Sequence, residues 1–230
     1  MALPKINHPT YSVTIPSLKK EVTLRPFTVQ EEKILFMARS SDNTIDVIKA
    51  IKQVIGNCIF EPVDLDKLAT FDIEYLFIKL RAKSVGEVVE LEHRDQDELI
   101  KFSINLDEIE VKYTPGHSNK ILVTDKIGLV MRYPTLEEIS TVEEGNNEEQ
   151  AVLNVLLKCI DKVFDEDKVY SDFTHEEILE FVDNLPLDSM NKIKEFFDTM
   201  PVVEKVVTLK NKKGDTKEIA LRGLSSFFTS

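Results

Sequence analysis

Residues Thr23–Glu32 read TLRPFTVQEE, and residues Val130–Glu138 read VMRYPTLEE. In both stretches an apolar strand end meets an Arg, a Pro follows within two residues, and a Thr stands three residues before a Glu. Arg25, Thr28 and Glu31 align with Arg132, Thr135 and Glu138 at one common offset of 107 residues. Thr-x-x-Glu is a capping box: the Thr oxygen accepts from an early helix N–H, and the Glu carboxylate accepts the N–H of the capping residue. The Pro keeps the chain ahead of the cap extended. Each stretch predicts a strand that turns into a capped helix, and the recurrence predicts a repeated unit.

Reading outward, the order of elements also recurs. Before the first copy, Tyr11–Ile15 and Glu21–Leu24 predict a β-hairpin. After it come a helix to about Ala38 with Ile34 and Leu35 inward, a second helix capped by Thr44, and a third opening near Phe71. A second hairpin follows, Val85–Leu91 with Leu99–Leu106, across a polar tip His93–Asp97. Thr114–Asn119 is rich in turn formers. Beyond it, Ile121–Thr124 and Ile127–Met131 predict a hairpin and Thr135 caps a helix. A further helix buries Val152, Val155, Leu156, Cys159, Ile160 and Val163, and helices from Phe173 split near Pro186. Val202–Leu209 and Lys217–Leu221 form a last hairpin. Cys58-Ile59 matches Cys159-Ile160, and Phe71 matches Phe173, at offsets of 101 and 102. Collinear landmarks of this kind mark duplication. The expected fold is α+β with two similar halves: an arm 1–10, a module 11–113, a linker 114–118 and a module 119–230.

Composition narrows the function. The 230 residues are 42% hydrophobic and 30% charged, as in a globular chain with a sizeable core. A net charge of −12 disfavours nucleic acid and anionic membrane surfaces as partners. No apolar run spans a membrane, and MALPKINHPTYS lacks the apolar core of a signal peptide, so a cytoplasmic location is expected. Two cysteines cannot build a zinc site alone and read as small buried hydrophobes.

The sequence holds no catalytic constellation. His8, His93, His117 and His175 fall in separate loops or turns, with no ligand spacing. No nucleophile elbow or phosphate loop occurs. Asp161, Asp165, Glu166, Asp167 and Asp172 form an acidic loop without the Gly and Glu of a calcium-binding register. No cofactor, metal or catalytic residue is expected. The rival expectation is a small metal-dependent hydrolase using loop 161–172. Arg25 and Arg132 either clamp an anionic ligand or close their own joints onto Glu31 and Glu138. Near the C-terminus, Lys205, Lys210, Lys212, Lys213 and Lys217 gather on one hairpin, followed by Leu224, Phe227 and Phe228. These side chains either pack at home or anchor a partner, where aromatic residues carry much of the binding energy.

The arm and hairpin with VTLRPFTVQEEK, together with the closing LRGLSSFF, resemble the T-even-type phage baseplate hub and hub-assembly proteins. The likeness is strongest over Pro9–Ile59 and the last hairpin and tail. It implies a non-enzymatic protein that acts in baseplate assembly through protein–protein contacts, as hub subunit or as assembly chaperone. Its implied partners are other baseplate or hub proteins, with an oligomer allowed. Its implied place is the host cytoplasm during assembly or the virion tail. Members of that family can carry a Cys-x-x-Cys knuckle in a hairpin turn. The corresponding turns here, His93–Asp97 and Asn211–Asp215, hold no Cys, which argues against zinc in this chain.

Overall fold

A computed structural model describes residues 4, 6–40, 43–95, 98–143, 148–210 and 214–228. The chain is α+β and divides into two compact units. Unit 1 is discontinuous, Met1–Lys112 with Val202–Ser230, and unit 2 is Tyr113–Pro201.

Unit 1 opens with an antiparallel hairpin, β1 (Tyr11–Ile15) and β2 (Lys20–Leu24). The helices α1 (Val29–Arg39), α2 (Thr44–Cys58) and α3 (Thr70–Ser84) follow. The second hairpin is β3 (Val88–Asp95) with β4 (Glu98–Asn105), and β5 (Glu110–Lys112) ends the segment. The chain returns to this unit as β10 (Val202–Lys210), β11 (Thr216–Arg222) and the short helix α8 (Gly223–Phe228). β10 is the middle strand of a three-stranded antiparallel sheet, between β11 and β5.

Helix α3 is the centre of unit 1. Phe71, Ile73, Leu76, Phe77, Ile78, Leu80 and Ala82 are all buried, too many for one stripe. A helix apolar nearly all round is one packed on several sides, and α3 meets α2, β1, β5, β10 and α8. Its buried first-turn Asp72 accepts the N–H of Ala69 at 3.1 Å. It also accepts the Ser17 N–H at 2.8 Å and Ser17 hydroxyl at 2.5 Å, which ties the first hairpin's turn to the helix start.

Unit 2 is a four-stranded antiparallel sheet with helices. Its strands are β6 (Lys120–Leu122), β7 (Gly128–Met131), β8 (Ile160–Phe164) and β9 (Val169–Tyr170), in that order across the sheet. Its helices are α4 (Leu136–Glu143), α5 (Glu148–Lys158), α6 (His175–Asp183) and α7 (Leu187–Thr199). Leu129, Met131, Val155, Leu156, Cys159, Ile160, Ile178, Ile193 and Phe196 share its core.

Several expectations change. The last hairpin belongs to unit 1 rather than to a second module 119–230, because β10 pairs with β5 through Val202↔Lys112, Val203↔Val111 and Glu204↔Glu110. Glu204 reinforces that sheet, accepting from Lys112 and from Arg222. Residues 114–118 are not a free linker. His117 bonds Thr199 at 2.9 Å and Tyr133 at 3.0 Å and stacks on Tyr133 and Phe196 within unit 2. Ile160–Val163 continues as strand β8 rather than as helix, since its backbone completes the ladder with β7. Asn43, not Thr44, caps α2, its side chain accepting the Ile45 N–H. His93 lies on β3 rather than in a turn.

Candidate functional site

The two Arg-x-x-Thr-x-x-Glu joints fold alike. Arg25 reaches Glu31 at 3.0 and 3.3 Å, while Glu31 accepts the Thr28 N–H at 2.8 Å. Arg132 reaches Glu138 at 2.7 and 2.9 Å, and Glu138 accepts the Thr135 N–H at 2.9 Å. The Arg25 N–H donates to the Cys58 carbonyl at 3.0 Å, and the Arg132 N–H donates to the Cys159 carbonyl at 2.7 Å. The extra guanidinium donors go to backbone: Arg25 to Pro26 and Asn57, Arg132 to Tyr133. Each fork is thus occupied within its own joint, and the ligand-clamp reading of Arg25 and Arg132 falls away. Burial works to raise the Glu31 carboxyl, but the Arg25 and Thr28 bonds overcome it and hold the group at about 2. Glu138 is likewise held below its ordinary value, against burial, by Arg132 and Thr135. Burial pushes the Cys58 thiol up to about 11 and the Cys159 thiol up to about 12, so both stay protonated and unreactive at neutral pH.

In the C-terminal tail, Phe227 is a core residue. Phe227 is 0% exposed, on a helix packed against α3, β3 and β11. Leu224 is half-buried, and its N–H donates to Glu74 of α3. Burial pushes that carboxyl up to about 7. Among the hairpin lysines, Lys205 pairs with Glu108 at 2.9 Å and Lys217 with Asp95 at 3.2 Å, which neutralises part of the expected basic patch. Lys210 is exposed at the end of β10. Lys212, Lys213 and the side chain of Phe228 lie outside what is described.

The acidic loop 161–172 is a hairpin between β8 and β9. Asp165 is spent on the turn. It accepts the Asp167 N–H at 2.9 Å, the Lys168 N–H at 2.7 Å and the Tyr170 hydroxyl at 2.9 Å, and these bonds depress its carboxyl. Glu166 pairs with Lys126 at 2.8 Å. Among the described residues no group of three or more His, Cys, Asp or Glu is placed to hold a metal ion. The hydrolase reading therefore gains no support from this loop.

Among the described residues, two surfaces that sequence reading did not single out bear on binding. Helix α1 exposes Val29, Phe36 and Met37 at 64, 72 and 71%. These positions fall on one side of the helix at a spacing of seven and eight residues. Their signal was hidden because apolar residues lie on both sides of α1, Ile34 and Leu35 being half-buried opposite them. The second surface is a cavity of about 350 Å³ in unit 2, between the β8–β9 hairpin and α6. Val163, Phe164, Phe173, Ile178 and Phe181 give it apolar walls, and Asp165, Asp172 and Glu177 stand at its edge. Gly128 makes the Phe164 wall possible: it faces Phe164 across β7 and β8, and a Cβ there would sit 2.3 Å from the ring.

Among the described residues, Arg25–Glu31 and Arg132–Glu138 close the two joints, and Glu204 pairs with Lys112 and Arg222 within the sheet of unit 1. The sequence model of the family described as T4 bacteriophage base plate protein matches residues 8–229. The chain belongs to that family, and the match spans both units. No curated protein and no solved structure matches it. No helix among the described residues is long and apolar enough to cross a membrane.

Proposed function

We propose that this baseplate-family protein is a non-enzymatic hub protein that acts in baseplate assembly through protein–protein contacts. The family match across residues 8–229 carries the reading. The internally satisfied Arg–Glu joints and the exposed apolar face of α1 support it, since the conspicuous charged groups serve the fold and the unpartnered surface is apolar. Its partners are other baseplate or hub proteins, met in the host cytoplasm during assembly. The matching bonds of the two joints also support a duplicated hairpin–helix–helix unit within the chain.

Affinity capture of the tagged protein from infected cells tests the proposal. Baseplate and hub proteins are expected in the eluate, and an eluate without any tail protein would sink it. Mass spectrometry of purified particles then separates the two roles: a permanent subunit is present in the virion, and an assembly chaperone is absent.

A further inference from the structure

The charge of the chain is not shared between the units. Unit 2 holds 8 Lys and Arg against 19 Asp and Glu, a net −11 of the total −12. Unit 1, with 21 against 22, is close to neutral. Within unit 2, α6 carries Glu176, Glu177, Glu180 and Asp183 and no Lys or Arg. This helix forms one wall of the cavity of about 350 Å³. That volume lies at the small end of pockets that enclose ligands, about 300–1,000 Å³.

We infer that this cavity receives a short basic segment of another baseplate protein, one apolar side chain entering it between flanking Lys or Arg residues. The inference rests on the proposed role in assembly. Apolar walls from Phe164, Phe173, Ile178 and Phe181 suit an aliphatic or aromatic anchor. The rim suits cations. Asp172 is exposed beside the opening, and Glu177, although it accepts the Thr174 N–H at 2.7 Å, is also an exposed residue. Tyr170 already bears the Lys168 ammonium 4.8 Å from its ring centroid, so this edge tolerates a cation beside aromatic surface. A net −11 steers basic partners inward and repels a polyanion such as nucleic acid. The α1 face of unit 1 has no comparable charge to define its occupant, with Glu32, Lys33 and Arg39 mixed along it.

The test uses the full chain and three fluorescein-labelled hexapeptides: Lys-Lys-Leu-Phe-Lys-Lys, Lys-Lys-Ser-Ser-Lys-Lys and Glu-Glu-Leu-Phe-Glu-Glu. Fluorescence polarisation should show binding of the first at least about tenfold tighter than either other peptide, because anchor and charge are both needed. Asp172→Lys and Tyr170→Ala, both at exposed positions, should each weaken the first peptide several-fold while the chain keeps its cooperative thermal transition. Equal binding of the Ser and Leu-Phe peptides, or no loss in either variant, overturns the inference. Capture from infected cells distinguishes its failure from that of the parent reading. Tail proteins recovered equally by wild type and both variants leave the assembly role standing and remove the cavity from it. No tail protein recovered by wild type removes the assembly role itself.

Discussion

Glu31 and Glu138 do the same job in different solvent. Both close an Arg fork and a helix cap, but the Glu31 side chain is 1% exposed and that of Glu138 is 15%. Removing one partner of a buried ion pair leaves the other charge uncompensated and costs about 3–5 kcal/mol. Glu31→Ala should therefore destabilise unit 1 by about that much. Glu138→Ala should destabilise unit 2 by less, and urea unfolding of the two variants compares them. Glu31 also sets a pH dependence. Its folded value is depressed from 4.5 to about 2, so its contribution is complete above about pH 4.5 and is lost as pH falls through about 2. Both capping boxes were legible in the sequence because Thr and Glu three residues apart leave few other arrangements. The choice between ligand clamp and joint was not legible, since it turned on backbone carbonyls of Pro26, Asn57 and Tyr133 that only the fold brings to the guanidinium.

At the level of elements, α8 is the piece whose meaning changed. Its aromatic sequence suited a docking anchor or a core plug, and nothing local separates the two. Phe227 at 0% exposure decides for the plug. Phe227→Ala should cost about 3–5 kcal/mol in denaturant unfolding, the range for emptying a buried aromatic site. An exposed anchor would leave stability nearly unchanged. The seat of α8 is also pH-sensitive. Glu74 accepts the Leu224 N–H, and burial raises its carboxyl from 4.5 to about 7. A raised carboxyl in the folded state favours the protonated form, so the contribution of Glu74 to stability is highest below about pH 4.5 and falls as pH rises towards about 7, then levels. Glu74→Gln should flatten the change in stability between those values, which melting temperatures across the range would show. Most helices and hairpins were legible from periodicity and caps. Ile160–Val163 was misassigned because a short apolar run after a helix reads as its continuation, and only pairing with β7 makes it a strand.

At the scale of the whole molecule, unit 2 is an insertion between two strands that are partners. The chain leaves unit 1 at Lys112 and returns at Val202, and these residues face each other across β5 and β10. Antiparallel partners so placed can be joined by a two-residue turn. Replacing residues 113–201 by Asn-Gly should therefore leave a unit 1 that folds cooperatively, measured by circular dichroism on heating; a chain without a cooperative transition would contradict the insertion. The sequence suggested two consecutive halves because the landmarks are collinear. The interruption was hidden because β5 spans only Glu110–Lys112, too short for any alternation to register. The uneven charge follows from the same boundary: the acidity counted over the whole chain belongs almost entirely to the insertion. On this account it is unit 2 that presents the acidic face to partners.

The most direct measurement disrupts the gene in the phage and follows baseplate formation in infected cells by electron microscopy, with plasmid-borne protein as rescue. The assembly role requires that complete baseplates disappear and that the wild-type protein restore them. Normal numbers of complete baseplates in its absence would contradict the role.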